Sequence, residues 1–331
     1  MKRIGLLGAG TVGSSLAQLI NERNDLDLVI SQALVRDISK FRQGLKPEQL
    51  TINPQDVIKN SDILVEIMGG TSLAADLMLQ ALKSGKRVVT ANKAALAERW
   101  EEFKPFIEQG KLYFEAAVMA GTPIIDIATH SLRGSKPLEM HAILNGTCNY
   151  ILNQLENGVE YQVALKEAQR LGYAEAEPSL DVGGFDAAHK LNILARLLFD
   201  PNISWQSVKT NTSGIEHLTP QIMAEAIKEG GRIRLLASVF PEAGAWKAAV
   251  RTVFLPNEHA MASTASNRNA FYYKGDASGE ILVTGAGAGG AATASGVLAD
   301  IMLAMKLIPG PSLLQAKMPV PRNNIELLKE V

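Results

Sequence analysis

The 331-residue chain contains a single cysteine, Cys148. That excludes an intrachain disulfide and any zinc site built from several cysteines. Its five histidines are scattered, with no H-E-x-x-H spacing for a metallopeptidase centre. Neither charge is in excess: 33 basic and 34 acidic residues give a formal net charge of -1. No basic stripe and no interleaving of aromatic with basic residues occurs, which argues against nucleic acid as a partner. No apolar run is long enough to span a bilayer, so no membrane partner is expected. Internal repeats and long polar linkers are missing too. The chain starts directly with a short strand and a glycine turn, which reads as no signal peptide. Together these absences leave a cytoplasmic protein as the expectation. What is present is an ordinary globular balance, 47% hydrophobic and 20% charged, in a chain long enough for two cores.

Hydrophobic periodicity divides the sequence into two parts. Residues 2–7, 26–35, 62–68, 87–90 and 111–115 read as short buried strands, and 11–24 and 74–84 carry helical spacing between them. Strands alternating with helices predict a parallel, doubly wound sheet. The alternation fades near Gly121. Beyond it, 137–144 reads as a strand, and 149–157, 162–171 and 185–199 read as helices. Residues 233–240, 246–254, 270–273 and 280–284 read as strands of a second, mixed sheet. A glycine-rich turn at 285–290 precedes a late helix at 293–306, and the last dozen residues read as a loose tail. The expected fold class is therefore α/β: a Rossmann-type doubly wound parallel sheet plus a second α+β domain with a mixed sheet. Residues 1–130, completed by 285–318, form the expected dinucleotide-binding domain. Residues 131–284 form the expected substrate-binding, catalytic and dimerisation domain.

Gly8-Ala9-Gly10-Thr11-Val12-Gly13 follows the first strand and opens the first helix, the context a dinucleotide fingerprint requires. Gly8 allows the tight turn, Gly10 lets the backbone approach a pyrophosphate, and Gly13 lets helix pack on strand. The amides of Thr11 and Val12 then open a helix N-terminus suited to phosphate. An acidic residue at the end of the second strand suits the free ribose hydroxyls of NAD, whereas arginine suits the 2'-phosphate of NADP. Here Arg36 comes first, with Ser39 and Lys40 able to add contacts, and Asp37 could still serve a ribose. NADP is the expected cofactor, with NAD also usable.

Residues 175–190 are the most distinctive stretch. They set Glu175, Glu177, Asp181, Asp186 and Lys190 around the Gly183-Gly184 pair. Asp186 and Lys190 are four apart and share a helix face. Leu191, Leu194, Ala195 and Leu198 form the neighbouring apolar stripe, so Lys190 stands at its edge, positioned for partial desolvation and proton exchange. Taken alone, the same spacing more often means a surface ion pair.

In order along nearly its whole length, the chain resembles homoserine dehydrogenase. The resemblance rests on the fingerprint, on Thr90-Ala91-Asn92-Lys93-Ala94 and on Glu115-Ala116-Ala117-Val118 continuing to Pro123-Ile124-Ile125. It rests further on Leu144-Asn145-Gly146-Thr147-Cys148-Asn149-Tyr150-Ile151-Leu152, Leu171-Gly172-Tyr173-Ala174-Glu175-Ala176-Glu177-Pro178, the run from Asp181 to Lys190, and Gly287-Ala288-Gly289-Gly290. The segments at 144–152 and 171–190 are specific to that family, and the fingerprint is not. The resemblance implies NAD(P)-dependent interconversion of L-homoserine and L-aspartate 4-semialdehyde, in threonine, methionine and isoleucine biosynthesis. It implies that Lys190 and Lys93 are the catalytic lysines and that Glu175 and Asp186 hold the substrate, with Asp181 and Thr147 beside them. For Thr147, helix capping is the safer reading. Gly70, Thr71, Thr90, Asn92, Lys93, Gly287 and Gly289 would join the fingerprint around the cofactor. Glu115, Val118, Ala120 and Thr122 would frame a monovalent-cation site, such as one for Na+, made mainly of backbone carbonyls. Departures are Ala176 and Glu177, where proline and aspartate are common, Met119 in place of a frequent glycine, and Cys148 in place of a common threonine. The resemblance also implies a homodimer. It further implies a short form lacking a C-terminal regulatory ACT domain, since too few residues follow Asp300, and activity insensitive to threonine.

Two rival readings remain at this point. A dehydrogenase acting on an acyl phosphate needs a nucleophilic cysteine with a histidine base, and Cys148 is its sole candidate. A catalytically silent NADP-binding sensor or scaffold would keep the glycine fingerprint but has no use for Lys93 and Lys190.

Overall fold

The computed structural model describes residues 1–175, 177–321 and 328–331. Ala176, and residues 322–327 of the expected tail, lie outside the described residues. The chain divides into two compact units, Met1–Thr129 with Ala288–Leu313, and His130–Gly287 with Leu314–Val331.

The first unit opens with β1 (Lys2–Leu7), α1 (Thr11–Glu22), β2 (Leu28–Leu34), β3 (Leu50–Thr51), α2 (Pro54–Lys59) and β4 (Ile63–Glu66). It continues with α3 (Leu73–Lys83), β5 (Arg87–Thr90), α4 (Lys93–Glu98), α5 (Trp100–Glu108), β6 (Leu112–Tyr113), α6 (Ala116–Met119) and α7 (Ile124–Asp126). The six strands pair in parallel in the order β3-β2-β1-β4-β5-β6. Strand order reverses between β1 and β4, and ligands of such sheets bind beyond the strand ends at that switch point. Ile4, Leu6, Leu7, Ile63, Leu64, Val65, Val88 and Val89 are all buried, as expected where helices cover both faces of a parallel sheet. The two-residue β3 carries no periodic signal and was not expected from the sequence.

The second unit holds β7 (Pro137–Ile143), α8 (Gly146–Glu156), α9 (Tyr161–Arg170), α10 (Ser179–Val182), α11 (Phe185–Leu198), α12 (Trp205–Thr210) and α13 (Pro220–Lys228). These precede β8 (Gly231–Glu242), β9 (Ala245–Pro256), β10 (Arg268–Gly275) and β11 (Gly279–Ala286). The sheet order is β11-β10-β7-β8-β9, and every neighbouring pair is antiparallel. The expected mixing of strand directions is thereby corrected. Hairpins set two of the four pairs, β8–β9 and β10–β11; in the first, Ala243 and Gly244, both at positive φ, form the two-residue turn that antiparallel twist favours. A lone parallel bridge, Thr212 to Val250, stands outside the named strands.

The helix α14 (Gly290–Met305) returns the chain to the first unit. There Val297 and Ile301 join Leu16, Ala17 and Ile20 of α1 in one apolar cluster with the sheet. Among the described residues no helix is long and apolar enough to cross a membrane.

Burial of α11 differs from the sequence expectation. Every residue from Asp186 to Leu198 is buried, not only one stripe, because α10, α12, β8 and β9 all pack against the helix. Lys190 is therefore an interior side chain, not one at the edge of an apolar face.

Candidate active site and cofactor cradle

In the first unit, Gly8 adopts φ +110°, and a Cβ there would meet the Met68 amide nitrogen at 3.0 Å. A Cβ on Gly13 would lie 2.6 Å from the Gly8 carbonyl oxygen, whereas one on Gly10 meets nothing within 4 Å. The turn is thus pressed against Ile67 and Met68 at Gly8 and against α1 at Gly13, and the backbone is open at Gly10. The first turn of α1, beginning Thr11-Val12, has no side-chain cap and no acidic residue. Its amides suit an anion, so these residues fit a dinucleotide pyrophosphate. A Cβ on Gly290 would meet Thr11 Cγ2 at 2.8 Å, which places Gly289 beside this turn. Gly287 belongs to the second unit, where a Cβ would meet Asn269 Oδ1 at 2.1 Å.

Past the end of β2, Arg36 and Lys40 are exposed. Asp37 is turned onto its own loop: its Oδ1 accepts from the Ser39 amide at 2.9 Å and from Ser39 Oγ at 2.6 Å. These bonds hold the Asp37 carboxyl below its ordinary value.

A buried carboxylate that sequence reasoning missed shapes the next loop. Glu66, the last residue of β4, is fully buried. Its Oε1 accepts from the Met68 and Gly69 amides at 3.0 and 2.9 Å, and its Oε2 accepts from Thr90 Oγ1 at 2.7 Å. Thr90 in turn accepts from the Asn92 amide at 3.0 Å. Asn92 Nδ2 donates to the Gly70 carbonyl at 2.8 Å, while its Oδ1 caps α4 through the Ala95 amide. Thr90 and Asn92 thus spend these polar groups shaping the Gly69-Gly70-Thr71 loop. Burial pushes the Glu66 carboxyl upward against those hydrogen bonds. Lys93 is the half-buried first residue of α4.

The expected cation loop has another internal explanation. Glu115 Oε1 and Oε2 accept from the Ile125 and Asp126 amides at 2.7 and 2.8 Å, and burial raises the carboxyl to about 7. The Ala120 carbonyl oxygen sits where a Cβ on Gly296 would meet it at 2.5 Å. The Thr122 amide closes onto the Met119 carbonyl at 2.9 Å, and Val118 is buried. Both Glu115 carboxylate oxygens are thus already bonded to backbone amides of this loop. No group of three or more His, Cys, Asp or Glu residues that could hold a metal ion occurs among the described residues.

In the second unit, Gly184 at φ +82° starts α11 and turns Asp186 and Lys190 inward. Lys190 Nζ donates to Asp186 Oδ2 at 2.6 Å and to the Leu144 carbonyl at 2.7 Å. Asn145, between β7 and α8, donates through Nδ2 to Asp181 Oδ1 at 2.8 Å and to Asp186 Oδ2 at 2.9 Å. Asp181, Asp186 and Lys190 are therefore brought together, and Asn145 is a member that motif reading did not assign. Asn269 Nδ2 also reaches the Leu144 carbonyl, at 3.2 Å. The reading of Thr147 as a cap is corrected: Asn145 caps α8, and Thr147 Oγ1 donates to the Tyr173 carbonyl at 2.6 Å, tying down the loop before Glu175. Glu175 itself is exposed, as is Glu177. Cys148 is fully buried, and burial raises its thiol well above the ordinary value, which removes it as a thiolate nucleophile.

Comparison with known proteins gives the family. Residues 123–302 match the family model for homoserine dehydrogenase, and 8–111 match that for the homoserine dehydrogenase NAD-binding domain. The chain belongs to the homoserine dehydrogenase family. It is 35% identical to the homoserine dehydrogenase of Bacillus subtilis, over 92% of this chain and 73% of that one. The Corynebacterium glutamicum homoserine dehydrogenase is 39% identical, over 90% and 71% respectively. Among solved structures, a homoserine dehydrogenase from Thiobacillus denitrificans superposes with a TM-score of 0.84 at 37% identity, over 92% of this chain and 73% of that one. A hyperthermophilic archaeal homoserine dehydrogenase in complex with NADPH gives 0.76 at 26% identity, over 94% and 99%. As a homoserine dehydrogenase family member, the chain is an oxidoreductase acting on a CH–OH group, with a nicotinamide-dinucleotide domain.

Proposed function

We propose that this chain interconverts L-homoserine and L-aspartate 4-semialdehyde, with NADP preferred and NAD usable. The carrying observation is the placement of Lys190. An ammonium has three donors. Two are spent on Asp186 and the Leu144 carbonyl, which leaves one for a substrate oxygen. The nicotinamide supplies hydride chemistry when bound. In homoserine oxidation Lys190 acts as the neutral amine: its two N–H groups keep the Asp186 and Leu144 bonds, and its lone pair, in the third position, takes up the hydroxyl proton as the C–H bond gives up its hydride. In reduction, Lys190 returns a proton to the aldehyde oxygen. Asp186 holds the Lys190 ammonium in place, and Glu175, exposed beside the loop that Thr147 fixes, meets the substrate ammonium. Lys93, in the first unit, is the second functional lysine of this reading. The Gly8–Gly13 turn, Gly70, Thr71 and Gly289 line the cofactor cradle, and Glu66, Thr90 and Asn92 hold its shape. No step is assigned to a cation. The same reading takes the working form as a cytoplasmic homodimer, and a one-copy mass in sedimentation would remove the dimer. A turnover assay with homoserine and NADP tests the whole reading, because a silent sensor or scaffold would bind NADP and release no NADPH.

Cofactor choice rests on Arg36. A 2'-phosphate beside an exposed guanidinium gains a charge-assisted bond, and Asp37 is already held by Ser39. Arg36→Ala is expected to weaken NADP binding roughly tenfold or more and NAD binding little. Fluorescence titration of both cofactors checks this, and equal losses would take Arg36 out of the phosphate site.

Glu175→Leu is expected to raise the Michaelis constant for homoserine with NADP affinity unchanged. Because Glu175 is exposed, screening limits the effect to about fivefold, less than a buried pair would give. A matching loss of NADP affinity would point to a structural role for Glu175.

A further inference from the structure

Asn145 makes more bonds than a helix cap needs. Its Oδ1 accepts from the Cys148 amide at 2.7 Å and caps α8. Serine, aspartate and asparagine serve a cap about equally well, so capping alone does not call for an amide. The amide nitrogen does something neither of the others can. It donates to Asp181 Oδ1 and to Asp186 Oδ2, at 2.8 and 2.9 Å. The second acceptor is the same oxygen that receives Lys190 Nζ at 2.6 Å. One carboxylate oxygen is thus shared by the amide of Asn145 and the ammonium of Lys190, both buried.

Two carboxylates within reach of one amide group repel each other unless donors offset the charge. The charged groups around this point are Asp181 on α10 with Asp186 and Lys190 on α11, and the buried Cys148 thiol on α8 donates to the Asp181 carbonyl at 3.1 Å. The two N–H groups of Asn145 hold both carboxylates and draw part of the Asp186 charge away from Lys190. We propose that Asn145 is a positioning residue for the reaction: it fixes the Asp186 carboxylate and so sets both the place of Lys190 Nζ and the readiness of that group to exchange a proton. This rests on the reading of Lys190 as the proton carrier.

The test uses the full-length enzyme and two substitutions that keep the α8 cap. Asn145→Ser retains a capping oxygen and replaces the two bridging N–H donors by a single hydroxyl hydrogen on a shorter side chain, which cannot hold both carboxylates. Asn145→Asp retains the cap and adds a third carboxylate. Asn145→Ser is expected to lower kcat about tenfold, leave the KM for NADP unchanged, and move the acid limb of kcat/KM for homoserine oxidation up by about half a pH unit. Asn145→Asp is expected to lose roughly a hundredfold and to move the limb further. A purely structural residue would lower the melting temperature and leave the pH profile in place. In a Lys190→Ala background the Asn145→Ser loss should vanish, since groups acting through one another are not additive. A native pH profile and kcat in Asn145→Ser overturns the proposal, and so does a full additional loss in the Lys190→Ala background. Near-normal turnover in Lys190→Ala alone overturns the reading of Lys190, and the proposal with it. A native Asn145→Ser profile beside an inactive Lys190→Ala overturns the proposal alone.

Discussion

Lys190→Ala is expected to turn homoserine over about 10²–10⁴-fold more slowly than the native enzyme, the usual contribution of general acid–base help. The alanine removes the one side chain that joins the Leu144 carbonyl, the Asp186 carboxylate and, by the proposed reading, the substrate oxygen. Its effect on folding is larger than helix spacing alone suggests. The lysine side chain is 9% exposed and its partner 11%, so the alanine leaves a buried carboxylate with only part of its compensation. Breaking such a pair costs about 3–5 kcal/mol, although Asn145 still donates to Asp186 and softens that loss. Lys190→Arg separates the two effects. Arginine restores a cation opposite Asp186 but stays protonated at all working pH values. Its melting temperature should stay close to native while kcat per folded molecule stays low, measured by NADPH absorbance on protein whose fold is checked by circular dichroism. Near-native turnover in Lys190→Arg at saturating substrate would remove proton transfer from this residue and move it to Lys93 or a water.

The features legible in the sequence are those that local spacing determines. The glycine turn could be read because Gly8, Gly10 and Gly13 act within one strand-turn-helix segment. The Asp186–Lys190 pair could be read because four residues make one helical turn. Features that depend on distant chain segments were not legible. Lys190 reaches the Leu144 carbonyl across 46 positions, and Asn145 reaches Asp186 across 41. No periodicity signals either bond, so the depth of α11 and the bridging role of Asn145 appear only once the chain is folded. Glu66 is a similar case: nothing in its local sequence marks it out until the Thr90 hydroxyl and two amides are seen around it. Thr147 illustrates how capping can be misplaced by two residues. Asn145 and Thr147 are both competent caps, and the choice depends on the Tyr173 carbonyl, which takes the threonine hydroxyl.

Loss of Glu156 is expected to destabilise the second unit strongly. Glu156 ends α8, where the helix dipole disfavours a negative charge. Its place is explained by two arginines two residues apart on β8, and so on one face of the strand. Arg234 Nη1 donates to Glu156 Oε1 at 2.6 Å and Arg232 Nη1 to Oε2 at 3.0 Å. Arg234 is 2% exposed and Glu156 9%, whereas Arg232 is 38% exposed. Arg234 also donates to the Ala262 carbonyl at 2.8 Å, and Asn149 of α8 donates to the Thr264 and Ser266 carbonyls at 3.1 and 2.9 Å. Helix, strand and the loop before β10 are therefore joined through this buried guanidinium, with Asn149 adding a second tie between helix and loop. Glu156→Leu leaves Arg234 buried without its counter-ion, and about 3–5 kcal/mol should be lost. Arg232→Ala, which removes only the half-exposed partner, should cost about 0–1 kcal/mol. Urea unfolding followed by tryptophan fluorescence reads this unit well, since Trp205 and Trp246 lie in it and Trp100 in the other. The start of α8 is pinned separately by Asn145, so kcat per folded molecule of Glu156→Leu should stay within about twofold of native, as expected for sites without a shared partner. Equal small losses for Glu156→Leu and Arg232→Ala would mean that the carbonyls of Ile233 and Ala262 alone suffice to hold the Arg234 charge.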